Sequence, residues 1–444
     1  MMRLKQSLLL PLLLFATRAS AVDLIEVYRE AAATNPQVAA SLANLEAVRE
    51  QRPQAMAGLL PTLGARGSYT PNRYKSLDPK QPAETSNDKL ASLNLSQPLF
   101  RYDRWIQLRQ SDSEIARAEA DYLAAEQDLM VTVAERYFKV LEAQSNLEFA
   151  EAEKAAIGRQ LDQATQRFDV GLIAITDVKA AQARYDLSVS RQIQAISGLV
   201  EAKDALRETV GTYYDTFDLL KPDLALSDPE PDSTDAWIER AKQHNLSILS
   251  AQASAETAKQ EIALQRAGHL PTLDLNADAI YSEAGGAFPR KGRGSQIGVE
   301  LNVPIYEGGA VNSRTRQARS RFQEATDSLS QAVRAAELET RNAFRGVKTD
   351  IAQVKALGRS LESTQVAVEA EEAGFEVGTR TIVDVLNAQQ DYYLARLNYA
   401  RARYLYVVDQ LRLKKAAGIL SADDIAEVNK ALIPPPPPQP VKQP

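Results

Sequence analysis

Few side chains in this sequence could carry covalent chemistry. There is no cysteine, and the two histidines, His244 and His269, stand 25 residues apart. A thiolate nucleophile, a thiolate metal site and a disulfide framework are therefore excluded. No nucleophile–base pair, phosphate loop or metal cluster is legible, so the chain reads as a non-enzyme with no cofactor and no metal. The residues that stand out are instead charged and turn-forming, and they come as a pair of blocks. Val170-Gly171-Leu172-Ile173-Ala174-Ile175-Thr176-Asp177-Val178 returns about 207 residues later as Val377-Gly378-Thr379-Arg380-Thr381-Ile382-Val383-Asp384-Val385. The copies place Asp177 and Asp384 at matching positions but differ at Ile173 against Arg380. On the residues alone, Asp384 is either a solvated helix-face charge or a charge lining an opening.

The elements that hold these blocks are also duplicated. Leu60-Pro61-Thr62-Leu63 recurs as Leu270-Pro271-Thr272-Leu273, and Gln97-Pro98-Leu99-Phe100 as Val303-Pro304-Ile305-Tyr306. A fixed offset along the whole length indicates one unit in tandem, too long to be a solenoid repeat. The division expected is a first repeat over 22–220, a linker over 221–235, and a second repeat over 236–432. Between Leu99 and Val210 there is no proline, and glycine occurs only at 158, 171 and 198. That composition predicts one helix over Tyr102–Asp169, about 100 Å long at 1.5 Å per residue, ended by Gly171 in the left-handed role glycine fills cheaply. A return helix follows to about Val210. Helical stretches over Leu24 to about Met56, Ala236–Ala267, Val311–Val377 and Thr381–Ala417 complete the plan. Such lengths suit an elongated bundle or a wall of helices joined by thin, alanine-rich seams. Both turn blocks then lie at the end farthest from the rest, where a channel would be gated.

Four segments alternate instead: Pro61–Thr70, Leu90–Phe100, Pro271–Tyr281 and Gln296–Tyr306, in hairpins of about 61–100 and 271–306. They are about 10 residues each, the length of a tilted membrane strand. Half-buried strands packed on the helices are the other reading. Four strands cannot close a barrel in lipid, so membrane strands demand oligomerisation: two copies give eight strands and a filled barrel, three give twelve and a lumen. No stretch is apolar for 18 residues, which excludes a transmembrane helix. Residues 1–21 carry the basic start, apolar run and Ala19-Ser20-Ala21 site of an export leader. The formal charge of −6 argues against a nucleic-acid partner. The proline-rich end, 433–444, is expected to be an extended, disordered tail.

The most specific stretches are Arg159–Gln163, Arg167–Val178, Gly268–Leu275, Pro304-Ile305-Tyr306 with Gly308-Gly309, and Val377–Leu386. In these the chain resembles the TolC-type outer-membrane factors, the outer-membrane efflux protein family, over essentially its whole mature length. The resemblance implies an α/β membrane protein. In it a homotrimer would build a 12-stranded antiparallel β-barrel, four strands per chain, in the outer membrane of a Gram-negative bacterium. That barrel would be continuous with a long α-helical barrel crossing the periplasm. It implies a passive exit duct for drug efflux, with its multidrug resistance, or for type I protein secretion. The partners implied are outer-membrane lipid, a periplasmic adaptor of the membrane-fusion type, and an inner-membrane transporter of the RND, ABC or MFS type. A periplasmic coiled-coil scaffold or adaptor without a pore is the alternative, and it leaves the strands unexplained.

The resemblance also assigns residues. Thr176, Asp177 and Arg380 match a polar network holding the tip shut, and Gln160 with Glu372 match a second pair. Arg380 can offer several donors to a carboxylate such as Asp177. Phe375 replaces the family's tyrosine and has no hydroxyl, which implies a gate relying more on Arg380 and Asp177 and opening more easily. Asp384 matches an acidic ring. Asn387 stands where the family often adds a second aspartate, so the ring would hold three carboxylates and be blocked less by multivalent cations. Gly171, Leu172, Gly378 and Thr379 are the docking tips for an adaptor hairpin.

Overall fold

The computed structural model describes residues 21–75, 84–285 and 290–436. The export leader, apart from Ala21, and the proline-rich tail beyond residue 436 lie outside the described residues. The first half begins with three short helices, α1 (Leu24–Thr34), α2 (Pro36–Arg49) and α3 (Gln51–Ala57), then a hairpin of β1 (Thr62–Tyr74) and β2 (Glu84–Phe100). Helix α4 (Tyr102–Asp169) reverses into α5 (Ile175–Val210), followed by β3 (Leu219–Leu220). The second half runs α6 (Thr234–His244), α7 (Leu246–Arg266), β4 (Thr272–Ala284), β5 (Arg290–Asn302), α8 (Ala310–Glu376) and α9 (Ile382–Ala416), and ends with α10 (Ala422–Asn429) and β6 (Leu432–Ile433).

The stretches expected as single helices before each hairpin are broken, and asparagine makes the break that the two halves share. Asn35 turns its side-chain oxygen to the backbone N–H groups of Gln37 and Val38, and Asn245 does the same for Ser247 and Ile248. Each caps a new helix while its amide donates across to a return-helix end, Asn35 to the Thr209 carbonyl at 3.2 Å and Asn245 to that of Ala416 at 2.9 Å. The strands depart from expectation as well. They run past the alternating segments, β1 to Tyr74 and β4 to Ala284, and the last one stops at Asn302 rather than Tyr306, because Pro304 cannot donate to a ladder. Val303, Ile305 and Tyr306 are exposed beyond it.

The four long strands form one antiparallel sheet in the order β1-β2-β4-β5. Its register aligns Leu63 with Leu95, Leu95 with Ala277 and Ala277 with Ile297. One face is therefore continuously apolar, and it is bare, with Leu63 and Ile297 about three-quarters exposed (74% and 75%). The other face is polar and internally bonded: Ser96 donates to Asn276 at 2.9 Å, Asn276 to Glu300 at 3.1 Å and Gln296 to Asp278 at 3.1 Å. Among the described residues no helix covers the apolar face, so the reading of strands packed on helices is set aside.

Midway along the bundle the helices are not joined by a thin seam. Tyr137, Phe138, Phe217, Tyr406 and Leu411 anchor a thick core in which α4 and α9 meet α1 and α10. The segment 221–235 takes part: Tyr406 accepts the Ser227 backbone N–H at 2.8 Å, and Lys348 pairs with Asp228 and Asp232. α10 and the β3–β6 pair, which close this core, were not expected from the sequence, and Ile433, expected to open the disordered tail, pairs with Leu219 in β3.

One acidic group is buried beside that core. Asp350 on α8 is only 5% exposed, and one of its oxygens lacks a partner. Its carboxyl is pushed up to about 7, by burial first and then by the neighbouring Asp409, with Arg412 opposing. Across the window from its ordinary value of about 4 up to about 7, the folded chain holds a proton the unfolded chain has released. This site's contribution to stability is thus greatest at low pH and is lost as pH rises through that window. Asp350→Asn should remove this slope and raise stability at pH 8 by on the order of 1 kcal/mol, read as the difference between melting temperatures at acid and alkaline pH.

Candidate functional site

The charged turn blocks sit where α4 passes into α5 and where α8 passes into α9. Both long helices end the same way. Gly171 (φ 79°) and Gly378 (φ 78°) take the left-handed conformation, and the residue after each donates back into the last turn, Leu172 to Arg167 at 2.9 Å and Thr379 to Gly374 at 2.9 Å. The docking-tip residues Gly171, Leu172, Gly378 and Thr379 are all exposed. Apolar Val170, Leu172 and Val377 protrude beside them. Just inside the turns, Ile157, Ala164 and Ala181 of the α4/α5 hairpin pack against Phe375, Ile382, Val385 and Leu386 of the α8/α9 hairpin.

The two aspartates of the duplicated block differ in employment. In α9, Thr381 and Asp384 form a reciprocal capping box: Asp384 Oδ2 accepts from the Thr381 N–H at 2.9 Å and its hydroxyl at 2.7 Å, and the Asp384 N–H returns a bond at 3.3 Å. The capping position of α5 holds Ala174, which has no side-chain oxygen to offer. Asp177 consequently makes no side-chain hydrogen bond or ion pair among the described residues, and neighbouring Thr176 is exposed. The T-x-x-D spacing at 381–384 was a legible capping signal.

Arg380 is held over the end of α8. Its N–H donates to the Gly374 carbonyl at 3.2 Å, and a Cβ on Gly374 would lie 2.6 Å from the Arg380 Cγ. Its guanidinium lies 3.3 Å from Glu371. Within one chain it does not meet Asp177. Nor do Gln160 and Glu372 meet: Glu372 accepts from Gln389 on α9 at 2.8 Å, and the Gln160 side-chain oxygen is buried without a partner. Phe375 is buried, and Arg167 of α4 lies over its ring at 4.4 Å from the centroid while donating to its carbonyl at 3.3 Å. The ring is thus held by a cation–π contact. The sequence assigns Arg167 no role, and no spacing rule brings it to a residue 208 positions away.

Asp384 is held below the usual carboxylate range, chiefly by the main-chain and hydroxyl hydrogen bonds from Thr381 and less by the charge of Arg380. Asn387, one turn on, accepts from Arg184 at 2.8 Å. If Asp384 lines an opening, Asp384→Asn should lower cation selectivity while leaving an acceptor for Thr381. Asp384→Ala should add a loosened α9 start worth about 1 kcal/mol. Reversal potentials in a salt gradient measure this, and unchanged selectivity in both variants removes Asp384 from the ring.

Strands with one bare apolar face, continuous with helices far longer than a globule needs, define a membrane-anchored helical duct. The sequence matches the family described as outer membrane efflux protein over residues 27–212 and 237–419, and the chain belongs to that family. It is 38% identical over 436 residues to the outer membrane protein TolC of Vibrio cholerae serotype O1, covering 96% of this chain and 98% of that one. It is 28% identical over 427 residues to the alkaline protease secretion protein AprF of Pseudomonas aeruginosa, covering 93% and 88%. The fold is shared with the solved CmeC outer membrane channel of Campylobacter jejuni at a TM-score of 0.76 and 20% identity, over 92% and 90% of the two chains. The chain is an outer-membrane protein, and the pore-less scaffold is set aside.

Proposed function

We propose that three copies of this chain assemble into a duct through which drugs or secreted proteins leave the cell. The observation that carries this reading is the sheet. Its apolar face is uncovered and its outer strands, β1 and β5, have no further neighbour among the described residues. Such edges are not viable in lipid and close only when other copies add their strands. Three copies of four strands give a barrel wide enough for a lumen lined by Asp274, Asn276, Asp278, Glu300 and Asn302. Two similar halves in each of three chains give six similar units around one axis, as a cylinder requires.

The tip is the gate in this reading. Asp177, unengaged among the described residues of its own chain, is the acceptor for Arg380 of a neighbouring copy, with Thr176 beside it. Gln160 and Glu372 are a second contact between copies, in which the Gln160 amide N–H would donate to the Glu372 carboxylate. Asp384 contributes one carboxylate per copy to a ring whose neighbour, Asn387, is neutral. The protruding Val170, Leu172 and Val377 around the two glycine turns form the surface for a periplasmic adaptor, which couples the duct to an inner-membrane transporter. Planar-bilayer recording of the purified protein tests the duct: discrete, small, cation-selective conductances are expected, and their absence overturns it.

A further inference from the structure

Within each hairpin, α5 packs on α4 and α9 on α8, each return helix being about half the length of the long helix it pairs with. Each hairpin is thus a unit, and any opening at the tip has to move one against the other. Among the described residues, the hydrogen bonds between α5 and α9 come from a single side chain. Arg184 donates through Nη1 to Gln390 Oε1 at 2.7 Å and through Nη2 to Asn387 Oδ1 at 2.8 Å. Its two acceptors stand three residues apart on one face of α9, so the planar fork spans both at once, which an ammonium could not do in the same geometry. Arg184 and its acceptor Gln390 are half-buried. Both acceptors are neutral amides, so the contact does not neutralise the guanidinium. Its strength depends on two charge-assisted bonds that break together when α9 shifts by a fraction of a turn.

We infer that Arg184 is a positioning residue of the gate: it latches the α4/α5 hairpin to the α8/α9 hairpin inside each copy through Asn387 and Gln390. This goes beyond the latch between copies and rests on the reading of the tip as the gate. Asn387 then has a task other than a reduced share in an acidic ring. It is an acceptor for Arg184, and Phe375 with Arg167 forms a second intrachain tie on the α4–α8 side.

The test is single-channel recording of Arg184→Gln, Arg184→Lys and the acceptor variant Asn387→Ala with Gln390→Ala, each beside Arg380→Ser. Losing the fork should shift the closed–open balance by on the order of tenfold per copy, the scale of one charge-assisted hydrogen bond, seen as higher conductance. Arg184→Lys, which keeps the charge but not the fork, should open the channel as well, and adding Arg184→Gln to the acceptor variant should add nothing further. The inference is overturned if Arg380→Ser opens the channel while Arg184→Gln does not. It is also overturned if Arg184→Gln changes only ion selectivity, for the side chain would then act as a charge and not as a tie. If neither Arg184→Gln nor Arg380→Ser raises conductance, the gate reading itself fails.

Discussion

Arg380→Ser is expected to raise the conductance of the purified channel several-fold. The side chain is held in place by its own chain: the turn after Gly374 fixes its backbone, and Glu371 approaches its guanidinium at 3.3 Å. That ion pair is half in solvent, with the Arg380 side chain 57% exposed, and pairs of that kind contribute little. An Asp177 carboxylate brought up by a neighbouring copy would complete a charge-assisted bond worth about 1.5–3 kcal/mol. Threefold symmetry would repeat that bond three times around the opening, which makes its loss the largest expected effect on gating. Asp177→Asn should therefore open the channel nearly as far as Arg380→Ser, and Glu371→Gln should change little. The reverse order of effects would place the latch inside one chain, on α8, and remove Asp177 from it.

The sequence was most informative where one physical rule acts over many residues. Long runs without proline, ended by a glycine able to take positive φ, fixed α4 and α8 closely, because every residue of such a run votes the same way. Alternation in β4 and β5 found the two faces of the sheet for the same reason. Local competition was harder to see. Asn35 and Asn245 break helices that composition alone would continue, by offering side-chain oxygens to the next turn. The mid-length core was invisible because Phe217 of the first half meets Tyr406 and Leu432 near the end of the second, with no periodicity linking them. At the tip, residue types were legible but pairings were not. Asp384 is the exception, because the T-x-x-D spacing marks its capping bonds to Thr381. Arg167 on Phe375, and Arg184 on Asn387, join hairpins whose alignment follows from packing and from no spacing within either one.

The tandem halves also predict their own unequal tolerance to mutation. Gly211 and Gly418 end the two return helices in the same left-handed conformation, at φ 88° and 72°, so an alanine at either costs about 1–2 kcal/mol in backbone strain. Their surroundings differ. A Cβ on Gly211 would meet only the Thr34 hydroxyl, at an ordinary 3.9 Å. A Cβ on Gly418 would lie 2.1 Å from the His244 carbonyl oxygen and 2.6 Å from the Asn245 nitrogen. Those atoms are main chain and cannot swing away. They belong to the break between α6 and α7, where Asn245 both caps α7 and bonds the Ala416 carbonyl. Relieving the clash would pull the end of α9 from that junction and expose Ala417 and Leu420 of the mid-length core. Gly418→Ala should therefore destabilise the fold by about 4 kcal/mol or more, enough to deplete assembled protein from the outer membrane, whereas Gly211→Ala should remain assembled with a modestly lower melting temperature. Equal behaviour of the two variants, in membrane yield and in thermal unfolding, would mean that the α9 end is not seated on the α6–α7 break as tightly as these distances require.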